Sequence, residues 1–294
     1  MTNPPVPILS PYQVEPLLRA RQDRRPTLRA SPDLGLSEVD VVLTEEGSCF
    51  PGGSTVRWSD LEMIRDSKRS GRLTGHCYAI EEGTPREISQ FSQEHNRLYS
   101  LMPTHCAPTL LISSIPMHRI KGTDPHTDTV EKIRAAAPVI GHVLDTTTGL
   151  GYTAIHAART ATNVTTIELD PAVLEIARDN PWSRDLFENP RIRQLVGDSA
   201  EVVASFPDAA FDRIIHDPPT FSLAGELYGS AIYRELYRVL KPRGLLFHYV
   251  GNPESNLGGK VSRGVVRRLH NAGFSRVVGK PKAFGVLAFK SEHR

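Results

Sequence analysis

Hydrophobic and polar positions follow two rhythms along the chain, and the change comes near Lys132. Before it, short apolar-alternating runs are divided by Gly, Pro, Asn or His, the mark of brief antiparallel strands. Val39, Val41 and Leu43 alternate with polar residues as a half-buried strand does, Gly52-Gly53 marks a turn, and Leu61 with Ile64 suits a short helix capped by Ser59. Further strands are predicted at 73–80, 86–91, 97–102 and 109–115. Residues 1–30 hold many Pro and Arg around one short helical pattern at 13–21 and read as an arm on the body. After Lys132, strand, loop and helix alternate strictly. Strands at 139–144, 164–168, 191–196 and 211–215 are each followed by a helix, at 152–161, 172–179, 200–206 and 230–240. A turn at 241–244 leads to a strand at 245–250, a helix at 262–272, and strands at 275–278 and 286–289 that close as an edge hairpin. This rhythm predicts an α/β fold with a doubly wound, seven-stranded sheet over 131–294, preceded by a small β-rich domain over 31–130 and the arm.

Composition supports that division. The 294 residues are 39% hydrophobic and 23% charged, enough for a core and outside the disordered, collagen-like and coiled-coil classes. The longest strongly apolar uncharged stretch, 107–117, is too short to span a bilayer, and Pro4, Pro5 and Pro7 stand where a signal peptide needs an apolar run. No membrane partner is expected. Cys49, Cys77 and Cys106 lack the spacing of a zinc cage or a disulfide framework, and His105, His142 and His156 lack ligand spacing, so no metal is expected and a reducing cytoplasm fits best. Charge is uneven: residues 256–294 carry a net +8 and residues 1–30 a net +3, leaving −9 for the remainder. A basic end binds phosphates, although solvated helix faces account for the same charges and no aromatic interleaving accompanies them.

In doubly wound sheets ligands bind outside the carboxyl ends of the strands. Here those ends are polar. Strand one runs into Asp145-Thr146-Thr147-Thr148-Gly149-Leu150-Gly151, whose glycines permit a tight turn and close approach of backbone to ligand. Strand two ends in Glu168-Leu169-Asp170-Pro171, with an acid 23 residues after Asp145, about the spacing at which a carboxylate takes ribose hydroxyls. Asp170 before Pro171 suits a helix cap. Strand three ends in Gly197-Asp198-Ser199 and strand four in His216-Asp217-Pro218-Pro219-Thr220.

These strand ends together resemble the class I S-adenosylmethionine-dependent methyltransferases over about residues 130–290. The strings at 148–155, 180–184 and 216–228 also resemble a little-characterised group of methyltransferases best known from archaeal genomes. The resemblance implies S-adenosylmethionine as cofactor, with Asp145, Gly149 and Gly151 against its methionine part, Glu168 on the ribose and Asp198 facing the adenine amine. Thr147, Tyr152, Leu169, Ser199, Asp217 and Pro218 complete that set. Asp217-Pro218-Pro219-Thr220 takes the place of the Asn/Asp-Pro-Pro-aromatic motif of amino methyltransferases, which implies Asp217, Thr220 and Tyr228 as the catalytic group. Two departures stand out. Thr147 replaces the usual glycine, so the turn bends differently or offers a hydroxyl to the ligand. Thr220 replaces the usual aromatic, so stacking falls to Phe221, Tyr228 or the N-terminal domain, or the acceptor is not planar.

The resulting expectation is methyl transfer to an amine or amide nitrogen, with Asp217 as base. The same layout allows attack at the γ-carbon with release of 5′-methylthioadenosine, either as aminopropyl transfer, as in the similar polyamine-forming enzymes, or as cyclisation of the cofactor to azetidine-2-carboxylate. A small-molecule acceptor, or S-adenosylmethionine alone, is the expected partner, and RNA methylation would also employ the basic C-terminus. Met117, His118 and Arg119, in the polar linker 115–125, are expected to reach the substrate as part of a lid, joined by Phe221, Tyr249 and Asn252.

Overall fold

A computed structural model describes residues 6–67, 75–252 and 256–292. In chain order its strands and helices are β1 Ile8–Leu9, α1 Pro11–Gln22, β2 Thr27–Ala30, β3 Val39–Leu43, β4 Gly47–Cys49, β5 Thr55–Arg57, α2 Trp58–Asp66, β6 Tyr78–Glu81, β7 Thr84–Glu87, β8 Ser89–Ser92, β9 Arg97–Met102, β10 Thr109–Ile112 and β11 Ile115–Pro116. There follow α3 Pro125–Ala136, β12 His142–Asp145, α4 Tyr152–Ala157, β13 Asn163–Glu168, α5 Pro171–Asp179, α6 Arg184–Glu188, β14 Ile192–Val196, α7 Ser199–Ser205, β15 Phe211–His216, α8 Ser230–Val239, β16 Leu240–Tyr249, α9 Asn256–Ala272, β17 Arg276–Lys280 and β18 Gly285–Phe289. They form two compact units, Met1–His126 with Glu175–Arg184, and Thr127–Leu174 with Asp185–Arg294.

Among the described residues the first unit holds three antiparallel sheets, ordered β1-β6-β7, β2-β3-β4-β5 and β11-β10-β9-β8. Residues 6–30 of the segment expected as an arm are built into it. Ser10 caps α1 by accepting the Tyr12 N–H (3.3 Å), Pro11 opens the helix, and Val14, Leu17 and Leu18 are buried with Leu61, Ile64 and Ile80. Helix α2 begins one residue before Ser59, after Arg57, and no side chain caps it. The strand read over 86–91 is two strands: β7 pairs with β6, and after Ile88, whose N–H donates to Cys77 O (2.9 Å) and whose carbonyl accepts from Leu101 N (3.0 Å), β8 pairs with β9 in a different sheet. Residues 73 and 74 of the first expected strand lie outside the described residues. Trp182 belongs to this unit; its indole N–H donates to Leu34 O (3.2 Å), and Asn180 caps the turn that carries it.

The second unit is a seven-stranded mixed sheet ordered β14-β13-β12-β15-β16-β18-β17. Strands β12 to β16 are parallel, and β18 lies antiparallel between β16 and β17. The strand order reverses at β12, between β13 and β15, which puts the ligand crevice at the carboxyl ends of β12, β13 and β15. The turn expected at 241–244 interrupts β16: Phe211 pairs with Leu240 and Arg213 with Leu245, so the intervening residues bulge out, with Arg243 in the left-handed region (φ 61). Helix α8 buries Ile232, Tyr233, Leu236 and Val239 on one stripe, against Ile214 and Leu246 of the sheet and Val265 and Leu269 of α9. Each such fully buried apolar side chain contributes about 1.5–3 kcal/mol. No helix among the described residues is long and apolar enough to cross a membrane.

Candidate functional site

The first turn of the crevice is shaped by its glycines. Gly149 (φ 53) and Gly151 (φ 76) both take the left-handed backbone that other residues resist. A Cβ on Gly151 would come within 2.7 Å of Leu186, whereas one on Gly149 would point into open space. Around this turn two buried carboxylates gather. Asp145, at the end of β12, accepts hydrogen bonds at Oδ2 from Thr153 (2.9 Å) and Thr166 (3.2 Å), while its buried Oδ1 has no side-chain partner among the described residues. Burial pushes this carboxyl up to about 8, against those hydroxyls and the Thr147 amide. Glu168, at the end of β13, accepts from the N–H of Gly149 (2.8 Å) and of Asp170 (3.3 Å), and burial raises it to about 7. An open glycine turn flanked by two buried carboxylates fits a cationic, hydroxyl-bearing ligand such as S-adenosylmethionine.

The other predicted residues fall into two groups. Thr147 does not offer its hydroxyl outward; it donates to Asp217 O (2.7 Å), tying the first strand end to the fourth. Ser199 is buried and donates to Thr146 O (2.5 Å), and Tyr152 is buried at the start of α4. Asp198 spends Oδ1 on capping α7 through Ala200 N (2.7 Å) and Glu201 N (3.3 Å), and Asp170 caps α5 through Ala172 N (3.0 Å). Leu169, 41% exposed, leaves an apolar surface at the end of β13. Thr220 is exposed, and its hydroxyl pairs with Ser222 within its own loop (3.1 Å). Tyr228 is buried, donates to Pro219 O (3.0 Å), and has its ring edge-on to Phe221 (5.5 Å), so it braces the loop. Asn252 is exposed, and Met117, His118 and Arg119 belong to the first unit, where His118 Nδ1 meets the Thr109 hydroxyl (2.9 Å).

Sequence reasoning missed the centre of the electrostatics. Lys132, on α3 and 3% exposed, places Nζ 2.6 Å from Asp217 Oδ2 and 2.9 Å from Asp128 Oδ2, over the ring of Tyr249 (4.5 Å). Burial alone would push the ammonium towards neutrality, but the two carboxylates overcome it and hold it charged. Asp217 itself is raised by burial, against the pull of Lys132. One ammonium against two carboxylates leaves the cluster with a net negative charge when all three ionise. Among the described residues no hydrogen bond reaches Asp217 Oδ1 or the carbonyl of Pro218.

Beneath the loop lies a second unforeseen feature. His216 and His248 face each other in register on β15 and β16, both fully buried, with ring centroids 4.5 Å apart. His216 Nε2 donates to Leu227 O (2.8 Å), which leaves Nδ1 to accept from Thr146 (2.6 Å). His248 Nδ1 donates to His216 O (3.2 Å), and its Nε2 accepts from Tyr233 (2.8 Å). Burial holds His216 down to about 4 and His248 well below its usual value, so both are neutral supports of the loop.

The family described as "Methyltransferase domain" matches residues 143–244. A protein of Methanocaldococcus jannaschii, described as uncharacterized, is 46% identical over 225 residues, 76% of each chain. The polyamine aminopropyltransferase of Mycobacterium tuberculosis is 36% identical over 97 residues, which is 30% of this chain and 18% of that enzyme. The match therefore spans under a fifth of that relative. In fold, the spermidine synthase of Thermotoga maritima superposes with a TM-score of 0.56 at 18% identity, over 76% of this chain and 77% of that one. A spermidine synthase complexed with the transition-state analogue AdoDATO gives 0.57 at 18% identity, over 74% and 79%.

Proposed function

The chain belongs to the family of the Methanocaldococcus jannaschii protein, within the class I S-adenosylmethionine-dependent methyltransferases, and on that footing we propose that it transfers a methyl group to an amine or amide nitrogen. That it is an S-adenosylmethionine-dependent transferase follows from the family; the group moved and the acceptor are the proposal. The observation that carries it is the pair of unengaged acceptors at the end of β15, Asp217 Oδ1 and the Pro218 carbonyl, beside a buried ammonium.

When bound, S-adenosylmethionine supplies a carbon on positively charged sulfur, already activated for displacement. The residues then have two tasks. Asp217 and the Pro218 carbonyl accept the N–H groups of the acceptor and aim its lone pair, which is catalysis mainly by alignment. The cluster of Asp217, Asp128 and Lys132 is net negative when all three ionise and then favours positive charge nearby, with Lys132 working against the burial that raises Asp217. Glu168 accepts ribose hydroxyls and Asp145 the cofactor's ammonium, with Leu169 lending an apolar edge to the base.

Attack at the γ-carbon is the second reading. Two observations favour it: the aminopropyltransferase relatives, and a likeness to spermidine synthases covering 74% of the chain, more than the seven-stranded unit alone. Product analysis separates them. The purified chain is incubated with S-adenosylmethionine or its decarboxylated form, with and without amine acceptors, and the nucleosides are resolved by chromatography and mass spectrometry. S-adenosylhomocysteine formed only with an acceptor supports methyl transfer. Methylthioadenosine overturns it, in favour of aminopropyl transfer if a polyamine and the decarboxylated form are required, or of cyclisation if S-adenosylmethionine alone suffices.

A further inference from the structure

Helix α9 carries Lys260, Arg263, Arg267 and Arg268 and no acid between Asn256 and Ala272. Among the described residues none of the four forms an ion pair with a carboxylate. Lys260 and Arg263 stand three residues apart and Arg263 and Arg267 four, so like charges face one another along an exposed row, an arrangement that destabilises an isolated helix. The apolar residues Val265 and Leu269 turn inward to the core, which leaves the outer face cationic without an apolar stripe for a lipid surface.

Alongside the row lies a cleft of about 430 Å³, lined by Lys260, Gly264 and Arg268 of α9 and by Phe221 and Tyr228 of the loop after β15, with no acid in its lining. Phe221 is 49% exposed there. Gly264 lets the Arg268 guanidinium lie across the helix, since a Cβ would stand 3.0 Å from Nη1. Arg268 Nε donates to Tyr228 O (2.8 Å), which fixes the guanidinium at the wall of the cleft. An exposed aromatic ring set among unpaired cations is the combination that takes an unstacked base beside its phosphates.

We propose that α9 and this cleft bind single-stranded nucleic acid, with phosphates along Lys260, Arg263 and Arg267 and a base against Phe221. The inference extends the transferase reading by giving it a macromolecular partner, and it holds whichever carbon of the cofactor is attacked. Fluorescence anisotropy on the full chain tests it, with labelled strands of about 12 nucleotides as RNA, as DNA, and as RNA annealed to its complement. Both single strands are expected to bind at about 50 mM salt and to weaken roughly 20-fold by about 200 mM, the fall for about three phosphate contacts. A preference for RNA over DNA identifies RNA as the source, and the reverse identifies DNA. The exposed pair Arg263→Glu with Arg267→Glu should weaken binding at least about tenfold and flatten the salt slope by about 1.4. Phe221→Ala should weaken the single strand and leave the duplex unaffected. No binding at low salt, a tighter hold on the duplex, or an unchanged double variant overturns the proposal. Calorimetry with S-adenosylmethionine on the same preparations shows separately whether the transferase reading stands.

Discussion

Lys132 Nζ lies 2.6 Å from Asp217 Oδ2, across 85 residues of sequence, and is the buried counter-charge of the residue placed at the centre of the crevice. Replacing it by Met removes the counter-charge of two buried carboxylates, Asp217 and Asp128, and Lys132→Met should cost about 3–5 kcal/mol near neutral pH. Without the ammonium, Asp217 holds its proton in the folded state to a higher pH than in the unfolded one. The variant therefore regains stability as pH falls towards the unfolded carboxyl value. Urea unfolding at pH 5 and pH 8 reads this, and an equal loss at both would sink the charge argument.

Asp217→Asn keeps the shape and leaves Lys132 paired with Asp128, so the fold should persist. Turnover should fall by about 10²–10⁴-fold, the range for a positioned acceptor of protons. An Asn variant with the wild-type rate at saturating substrate removes Asp217 from the chemistry.

Glu168 and Asp145 are raised by burial to about 7 and about 8, so at neutral pH the ligand-free crevice holds protons. A cationic cofactor favours their ionised forms, and binding must release protons. Affinity for S-adenosylmethionine should therefore rise from pH 6 to pH 8, with proton release visible in calorimetry as a heat that depends on the buffer. Glu168→Ala should weaken binding by about 1.5–3 kcal/mol at pH 8 and by less at pH 6. Affinity that is flat with pH, or an Ala variant within twofold of wild type at pH 8, contradicts the assignment.

The two glycines of the turn should respond differently to alanine. Gly151→Ala adds backbone strain to a clash with Leu186 and is expected to lose about 2–5 kcal/mol of stability. Gly149→Ala bears only the strain, about 1–2 kcal/mol, but its methyl enters the space left for ligand and should reduce cofactor affinity at least about tenfold. Normal cofactor binding by Gly149→Ala would show that the ligand does not approach there.

His216 is held down to about 4 by burial, against about 6.5 in the unfolded chain. Its neutral form thus stabilises the fold fully above about pH 6.5, and that contribution is lost as pH falls towards 4, by about 3 kcal/mol. The raised carboxyls of Asp145 and Glu168 act in the opposite sense over the same range, so the total does not report the imidazole. The difference between wild type and His216→Gln isolates the imidazole: it should shrink as pH falls from 7 to 4.5 in urea titrations. A constant difference refutes the neutral-support role.

Much of the crevice was legible because its information is local. A glycine turn after β12, an acid closing β13 and Asp-Pro-Pro after β15 each declare themselves within a few residues, and the alternation of strand and helix says that they converge. Lys132 was invisible for the opposite reason: its partner is distant in sequence, and a lysine on an amphipathic helix reads as surface until tertiary packing buries it. The His216–His248 pair is likewise a product of register between two strands. Helix α1 reads as part of an arm because Pro11, Pro16, Arg19 and Arg21 dilute its apolar stripe, yet Val14, Leu17 and Leu18 suffice to seat it. The start of α9 was missed because Gly258-Gly259 reads as loop.

The position of β18 bears on how the chain is made. It leaves the ribosome after both of its neighbours, yet it sits inside the sheet, paired to β16 on one side and β17 on the other. Until residues 285–289 emerge, β16 presents a bare edge and β17 has nothing to pair with. The sheet thus cannot be built strand by strand in chain order, because β18 has to enter between two edges that precede it. During synthesis the open edge of β16 is the place where an incomplete chain is exposed to pairing with a neighbour, a hazard that a chaperone or a fast finish must cover.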